Sequence, residues 1–267
     1  MKYYGDLSKM KVQHENPVNY TLVLHDGEIN MNELIGKKIK INFTGIIHCV
    51  SCGKVTKKAF GQGFCYPCFI NSPMNSECIL RPELCEAHEG RGRDIVWEEL
   101  NHNKPHVVYL ALTSGVKVGV TRNDQVPVRW IDQGAWKAIK IAETPYRQIA
   151  GLIELNLKNH LADKTPWQKM LKNEINDQID LHSEKDRVIR LLSLAYLEYT
   201  LRENQKIYEF NYPVLKYPSK INSISPLKNS QIEATLTGIR GQYLMFDYTN
   251  VINLRSHSGY EIELHIP

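Results

Sequence analysis

The stretch His106-Val107-Val108-Tyr109-Leu110-Ala111-Leu112, then Thr113-Ser114-Gly115, then Val116-Lys117-Val118-Gly119-Val120-Thr121, decides the fold. Both runs are rich in β-branched and aromatic residues, and the three residues between them carry hairpin chemistry, so two paired strands are expected. A short helical segment holding Arg129 and Trp130 follows, and Trp136 to Ala142 reads as a third strand. Thr144-Pro145 then opens a helix, with threonine as the cap and proline at the first position. Along that helix Ile149, Ile153, Leu157 and Leu161 recur every four residues and define one buried stripe.

Working outward, Thr165-Pro166 repeats the start signal for a short helix through Leu171. Ser183-Glu184-Lys185-Asp186 caps a longer one, with Val188, Ile189, Leu192, Ala195, Tyr196 and Tyr199 on its apolar face. Past Pro213 the pattern turns to strands, Ile232 to Gly238 and Gln242 to Asp247, joined by Ile239-Arg240-Gly241. At the other end, Tyr20 to Leu24 and Lys38 to Ile46 alternate apolar and polar residues, with Asp26-Gly27 as a turn between them. The class is therefore α+β, with two β-rich terminal segments expected to pair into one unit around inserted zinc-binding and mixed segments. The expected boundaries are 1–48 (β-rich), 49–104 (zinc-binding), 105–164 (the strand and helix segment), 165–210 (helical extension) and 211–267 (terminal β unit).

The chain of 267 residues is 42% hydrophobic and 23% charged, ordinary values for a folded globular protein, which exclude wholesale disorder. A formal net charge of +4 permits a nucleic-acid partner without demanding one. No run of apolar residues is long enough to span a bilayer, and the start has no signal-peptide pattern, so a cytoplasmic location and no membrane partner are expected. Neither a nucleotide-binding glycine loop nor a Ser/His/Asp constellation stands out, which disfavours hydride transfer, kinase chemistry and acyl transfer.

All six cysteines lie between Cys49 and Cys85. Cys49-Val50-Ser51-Cys52 and Cys65-Tyr66-Pro67-Cys68 each place two thiols two residues apart, the spacing that turns both sulfurs toward one tetrahedral centre. One such pair also suits redox chemistry, but two in close succession favour structural zinc in a reducing compartment. Four thiolates fill the shell and leave no position for a substrate. Further on, Cys78, Cys85 and His88 are three more candidate ligands, with His102 or His106 as a fourth. A second zinc site and a pair of small buried thiols are both open readings there.

Val107-Val108-Tyr109, Lys117-Val118-Gly119, Arg129 and Glu154 form an ordered series on strand, strand, helix and helix. In that order they resemble the GIY-YIG nuclease superfamily, over roughly His106 to Leu161. The resemblance implies a small three-stranded antiparallel sheet flanked by helices, with Tyr109, Gly119, Arg129 and Glu154 at the matching site positions. The chain departs from the superfamily pattern in lacking the leading glycine before Val108 and in carrying Lys117 where tyrosine is usual. As a whole it also looks like a bacterial family of unknown function in which zinc-binding cysteines precede such a domain.

By that resemblance Glu154 would hold magnesium or manganese, Arg129 would bind phosphoryl oxygens, and Tyr109 would position or deprotonate a water. Lys117 and Gly119 would bring the nucleic-acid backbone close. Three functions follow: a metal-dependent endonuclease on DNA or RNA, a non-catalytic nucleic-acid adaptor gripping phosphate in the same pocket, or a zinc-organised scaffold for a protein partner. A lysine at position 117, which lacks the phenol's proton chemistry at its ordinary pKa, is the feature that favours the adaptor.

Overall fold

The computed structural model describes residues 1–161, 166–203 and 205–267. The strands are β1 (Lys2–Asp6), β2 (Lys11–Gln13), β3 (Asn19–Leu24), β4 (Gly27–Asn30), β5 (Lys38–Ile47), β6 (His106–Leu112), β7 (Val116–Arg122), β8 (Lys137–Thr144), β9 (Tyr208–Glu209), β10 (Asn222–Ser223), β11 (Gln231–Arg240), β12 (Tyr243–Phe246), β13 (Asn250–Asn253) and β14 (Tyr260–His265). The α-helices are α1 (Tyr66–Asn71), α2 (Ile95–Asn101), α3 (Val128–Asp132), α4 (Arg147–Lys158), α5 (Trp167–Leu171) and α6 (Leu181–Arg190). The protein is α+β, and it divides into two units. One comprises residues 1–70, 131–134 and 210–267, the other residues 71–130 and 135–209.

In the first unit, strands from both ends of the chain form one seven-stranded sheet in the order β1-β14-β5-β11-β12-β13-β10. β5 lies between β14 and β11, so that Ile41 pairs with Leu264 on one side and with Ile232 on the other. Its alternation Lys38-Ile39-Lys40-Ile41 buries the isoleucines and leaves the lysines toward water, the period-two pattern of a sheet with one covered face. β2, β3 and β4 make a separate antiparallel sheet, its β3–β4 hairpin turning at His25-Asp26. Arg240 is buried here, donating from Nε to the Gly134 carbonyl at 3.1 Å with its guanidinium 5.0 Å from the Tyr212 ring. That spends a charge on a carbonyl and an aromatic face, partners that make its burial tolerable.

In the second unit the sheet order is β7-β6-β8-β9, antiparallel throughout. The three long strands are those expected from the sequence, with the two-residue β9 added at the edge. Every residue of β6 is buried, because both faces are covered. Val108, Leu110 and Leu112 join Val116, Ile139 and Ile141 under Ala150, Ile153 and Leu157 of α4 and Leu181 and Val188 of α6. By strand alternation Tyr109 points to the opposite face, where its ring lies 5.6 Å from that of Trp130 on α3.

Helix starts differ from the sequence reading. Thr144 is the buried last residue of β8, its hydroxyl bonded to the Tyr146 carbonyl, and α4 begins at Arg147 with no side-chain cap. The sheet claims Thr144 before the helix does, because β8 continues opposite His106. The Thr165-Pro166 start signal falls partly outside the described residues, although α5 itself runs to Leu171. α6 is capped by Asp180, which accepts from the His182 and Ser183 amides, rather than by Ser183. The helix ends at Arg190, so Tyr196 and Tyr199 belong to a following 3-10 turn at Leu194–Tyr199.

Candidate functional site

Three groups of side chains bear on function. In the first, Cys49, Cys52, Cys65 and Cys68 bring their sulfurs within 4.8 Å of one another. The turn is closed by the Gly53 amide on the Cys49 carbonyl at 2.8 Å, and Gly53 sits at φ +71°, a left-handed conformation glycine adopts without strain. The second turn runs straight into α1, its Cys65 carbonyl accepting from Phe69 at 2.8 Å, and the two turns are tied by Val50 N–H to the Gly63 carbonyl. The Cys65 amide donates to the Cys49 sulfur at 3.2 Å. Burial pushes the Cys49 thiol up, but amides of Cys65, Cys52 and Ser51 aimed at its sulfur outweigh that and bring it down to about 6. Cys68 is pushed up to about 12, first by its hydrogen bond with Cys65 and then by burial. Four thiols crowded this closely repel each other's ionisation, which a divalent cation would relieve. The cage is geometrically compatible with zinc.

The second group lies within the second unit, on the short turns ahead of α2 and on α2 itself. Cys78, Cys85, Glu98 and His102 are all buried, and their ligand-type atoms also lie within 4.8 Å of one another. His88 stands apart from this group: its ring stacks on Tyr146 at 4.3 Å and nearly parallel, with Glu89 3.7 Å from its Nε2. Of the two histidines that follow, His102 joins the cysteines and His106 does not. The latter is buried at the start of β6, bonded through Nδ1 to the Lys104 carbonyl, and burial lowers its pKa to about 4. Glu98 carried no signal in the sequence except its place four residues before His102, which sets it one turn ahead of the histidine that caps α2.

The third group is the polar face of the β7-β6-β8 sheet. Tyr109 pairs with Gly119 across the β6–β7 ladder, so close that a Cβ on Gly119 would fall 2.5 Å from the Tyr109 hydroxyl oxygen. The glycine is there to admit the phenol. A bulge against β8 falls between Val108 and Tyr109, the kind of irregularity that re-aims one side chain. Lys117, two residues before Gly119, shares that face and is half-buried. Burial, and then the Arg129 charge, push its pKa down to about 8. Neither Lys117 nor Arg129 has an acidic partner among the described residues.

Glu154 is on α4, paired with Lys158 at 3.5 Å. Burial raises its carboxyl above the usual range, Lys158 and Arg147 pull it back, and nearby Glu83 pushes it further up. Arg147 is the link that sequence reasoning missed: it feels the charges of Arg129, Glu154, Cys78 and Cys85 together. Its guanidinium donates to the Cys78 carbonyl at 3.0 and 3.2 Å and to the Ile79 carbonyl at 3.1 Å. Tyr109, Gly119 and Lys117 thus share one face of the sheet, with the Arg129 charge near Lys117; Glu154 lies on α4, whose Ala150, Ile153 and Leu157 cover the opposite face, and its ion pair is with Lys158.

A smaller cluster, Asp6, His48 and Glu261, is an ion-pair network in the first unit. His48 Nδ1 lies 2.8 Å from Asp6, whose hydrogen bond raises the imidazole's pKa.

No helix among the described residues is long and apolar enough to cross a membrane. No curated protein and no solved structure gives a significant match to the chain. Residues 36–262, which span every group just described except Asp6, match the family described as protein of unknown function (DUF2797), and the chain belongs to that family.

Proposed function

We propose that this is a zinc-carrying nucleic-acid-binding protein whose second unit holds a GIY-YIG-like site, acting as a divalent-metal-dependent endonuclease. The observation that carries the reading is the pair Lys117 and Arg129, neighbouring cations with no acidic partner among the described residues, on the sheet face of Tyr109 and Gly119. Two uncompensated cations beside a close backbone approach suit a phosphodiester, which supplies the missing negative charge and can take the planar fork of Arg129 in two hydrogen bonds. The zinc at Cys49, Cys52, Cys65 and Cys68 is structural, since four thiolates leave it no open position.

Glu154, with Glu83 in electrostatic reach, offers the hard oxygens and the one or two carboxylates that magnesium or manganese uses. Such an ion, when bound, polarises the phosphate and screens the departing oxygen. Around it Arg129 neutralises charge on the phosphoryl oxygens, and Lys117 anchors the backbone. Tyr109 orients the attacking water through its phenol and, where that phenol is ionised, accepts the water's proton. Lys158 holds the Glu154 carboxylate in place before the metal arrives.

The second reading, an adaptor that binds without cutting, is favoured by the same Lys158 pair, which satisfies Glu154 without a metal, and by Lys117 in the place of a phenol. The two separate in one experiment. Labelled single- and double-stranded DNA and RNA are incubated with magnesium or manganese and the parent, Glu154→Ala or Arg129→Ala protein. Cleavage by the parent alone supports the nuclease. Binding that falls steeply with salt but gives no product supports the adaptor. Absence of binding at every salt concentration defeats both and leaves the scaffold for a protein partner.

A further inference from the structure

We propose that Cys78, Cys85, Glu98 and His102 form a second, closed zinc site that fastens α2, the cysteine loop and the start of α4 together. The inference is independent of the nuclease reading. All four side chains are buried, Cys78 at 8% exposure and the others at 3% or less. Two thiols, a carboxylate and an imidazole in one dry pocket are costly together unless something of opposite charge is among them. The neighbouring Arg147 guanidinium donates to the Cys78 and Ile79 carbonyls rather than to the four ligand atoms.

The spacing fits an ion. Zinc bonds of about 2.0 Å to nitrogen or oxygen and about 2.3 Å to sulfur give tetrahedral edges of roughly 3.3–3.8 Å. The Cys78 sulfur lies 3.8 Å from His102 Nδ1, at such an edge, and all four ligand atoms lie within 4.8 Å of one another; Glu98 pairs directly with the same nitrogen and would swing from that ion pair onto the metal. Two of the four ligands are also supported from behind, as metal ligands are. Ser76 Oγ lies 3.2 Å from the Cys78 sulfur, and the edge of Trp97 closes on the His102 ring at 4.9 Å. On zinc entry the two thiols give up their protons to solvent, while His102 stays neutral and keeps its proton on Nε2. Two thiolates and a carboxylate against Zn²⁺ leave one negative charge, which the adjacent Arg147 guanidinium offsets.

The connections run directly into α4. The Arg147 amide donates to the His102 carbonyl at 3.0 Å, and Gly151 is packed against the Pro82-Glu83 backbone. Loss of the ion would therefore loosen the base of the helix that carries Glu154.

The test uses the purified full chain, with zinc counted by mass spectrometry and its ligands read by zinc K-edge absorption. Two zinc ions per chain are expected, with an averaged shell of about three sulfurs to one nitrogen or oxygen. The Cys52→Ser protein should keep one zinc with a mixed sulfur and nitrogen/oxygen shell. Glu98→Ala and His102→Ala should each lower the parent's count by one, whereas His88→Ala should leave it unchanged. One zinc per chain with an all-sulfur shell in the parent would overturn the proposal even if every variant misfolds. Loss of the second zinc in His88→Ala, with retention in Glu98→Ala, would overturn the ligand set.

Discussion

Gly151→Ala sets two effects of opposite sign against each other. Gly151 is a buried position inside α4, and alanine in a helix interior is worth about 1 kcal/mol over glycine. Yet a Cβ there would lie 2.2 Å from the Glu83 nitrogen, 2.4 Å from the Pro82 carbonyl carbon and 2.8 Å from the Glu83 Cα. All three are backbone atoms, so no rotamer change relieves the overlap, and α4 must move about 1 Å from the loop to restore ordinary contact. Overpacking of this kind costs about 3 kcal/mol, the upper end for an insertion into a packed interior, which leaves a net loss of about 2 kcal/mol. All four tryptophans, Trp97, Trp130, Trp136 and Trp167, belong to the second unit, so their fluorescence reports its unfolding. The expected result is a urea midpoint shifted down, with a thermal midpoint lower by roughly 6–10 °C. Because the displaced loop ends at Cys78 and Cys85, a zinc held at the proposed second site should also leave faster to a chelator. A variant as stable as the parent, or more stable, would mean that α4 does not sit on this loop.

Cys52→Ser should lower zinc content and stability together, while Glu154→Ala spares both; equal zinc in parent and Cys52→Ser protein, by atomic absorption, would refute the four-cysteine site. Lys117 gives a pH signature: its pKa of about 8 in the free protein lies below the ordinary lysine value, so it is charged below pH 8 and loses its proton above it. Nucleic-acid affinity, measured by anisotropy, should therefore fall as pH rises above 8, and Lys117→Arg should flatten that fall. Folding stability should move the other way, rising between about pH 8 and the unfolded lysine's pKa of about 10.4, where the unfolded chain binds the extra proton.

What the sequence made legible was local. The hairpin from His106 to Thr121, the helix stripe of Ile153 and Leu157, and the paired Cys-x-x-Cys turns each repeat at a spacing that one element fixes by itself. The α+β class followed from them. Helix starts were read less well, because Thr144 and Ser183 have capping chemistry but the neighbouring strand and Asp180 reach those roles first. The second cysteine group needed Glu98 and His102, which a loop and several short turns separate from Cys85, and no spacing rule selects them over His88. Arg147 was invisible for the same reason: its importance lies in the carbonyls of Cys78 and Ile79, nearly seventy residues earlier in the chain.

The order of the seven-stranded sheet has a consequence for the chain as it is made. β5 ends at Ile47, but its neighbours β11 and β14 begin only at Gln231 and Tyr260. At a synthesis rate of about 5–20 residues per second, β5 waits roughly 10–40 s on the ribosome with both hydrogen-bonding edges bare. Such a strand is a template for pairing with other nascent chains. Lys38 and Lys40 interrupt its apolar run, and the cysteine turns that follow at once can take up zinc and close while the rest is still being translated. Metal capture beside β5 would thus guard an unfinished sheet, so zinc starvation during synthesis should be felt first as aggregation of newly made chains.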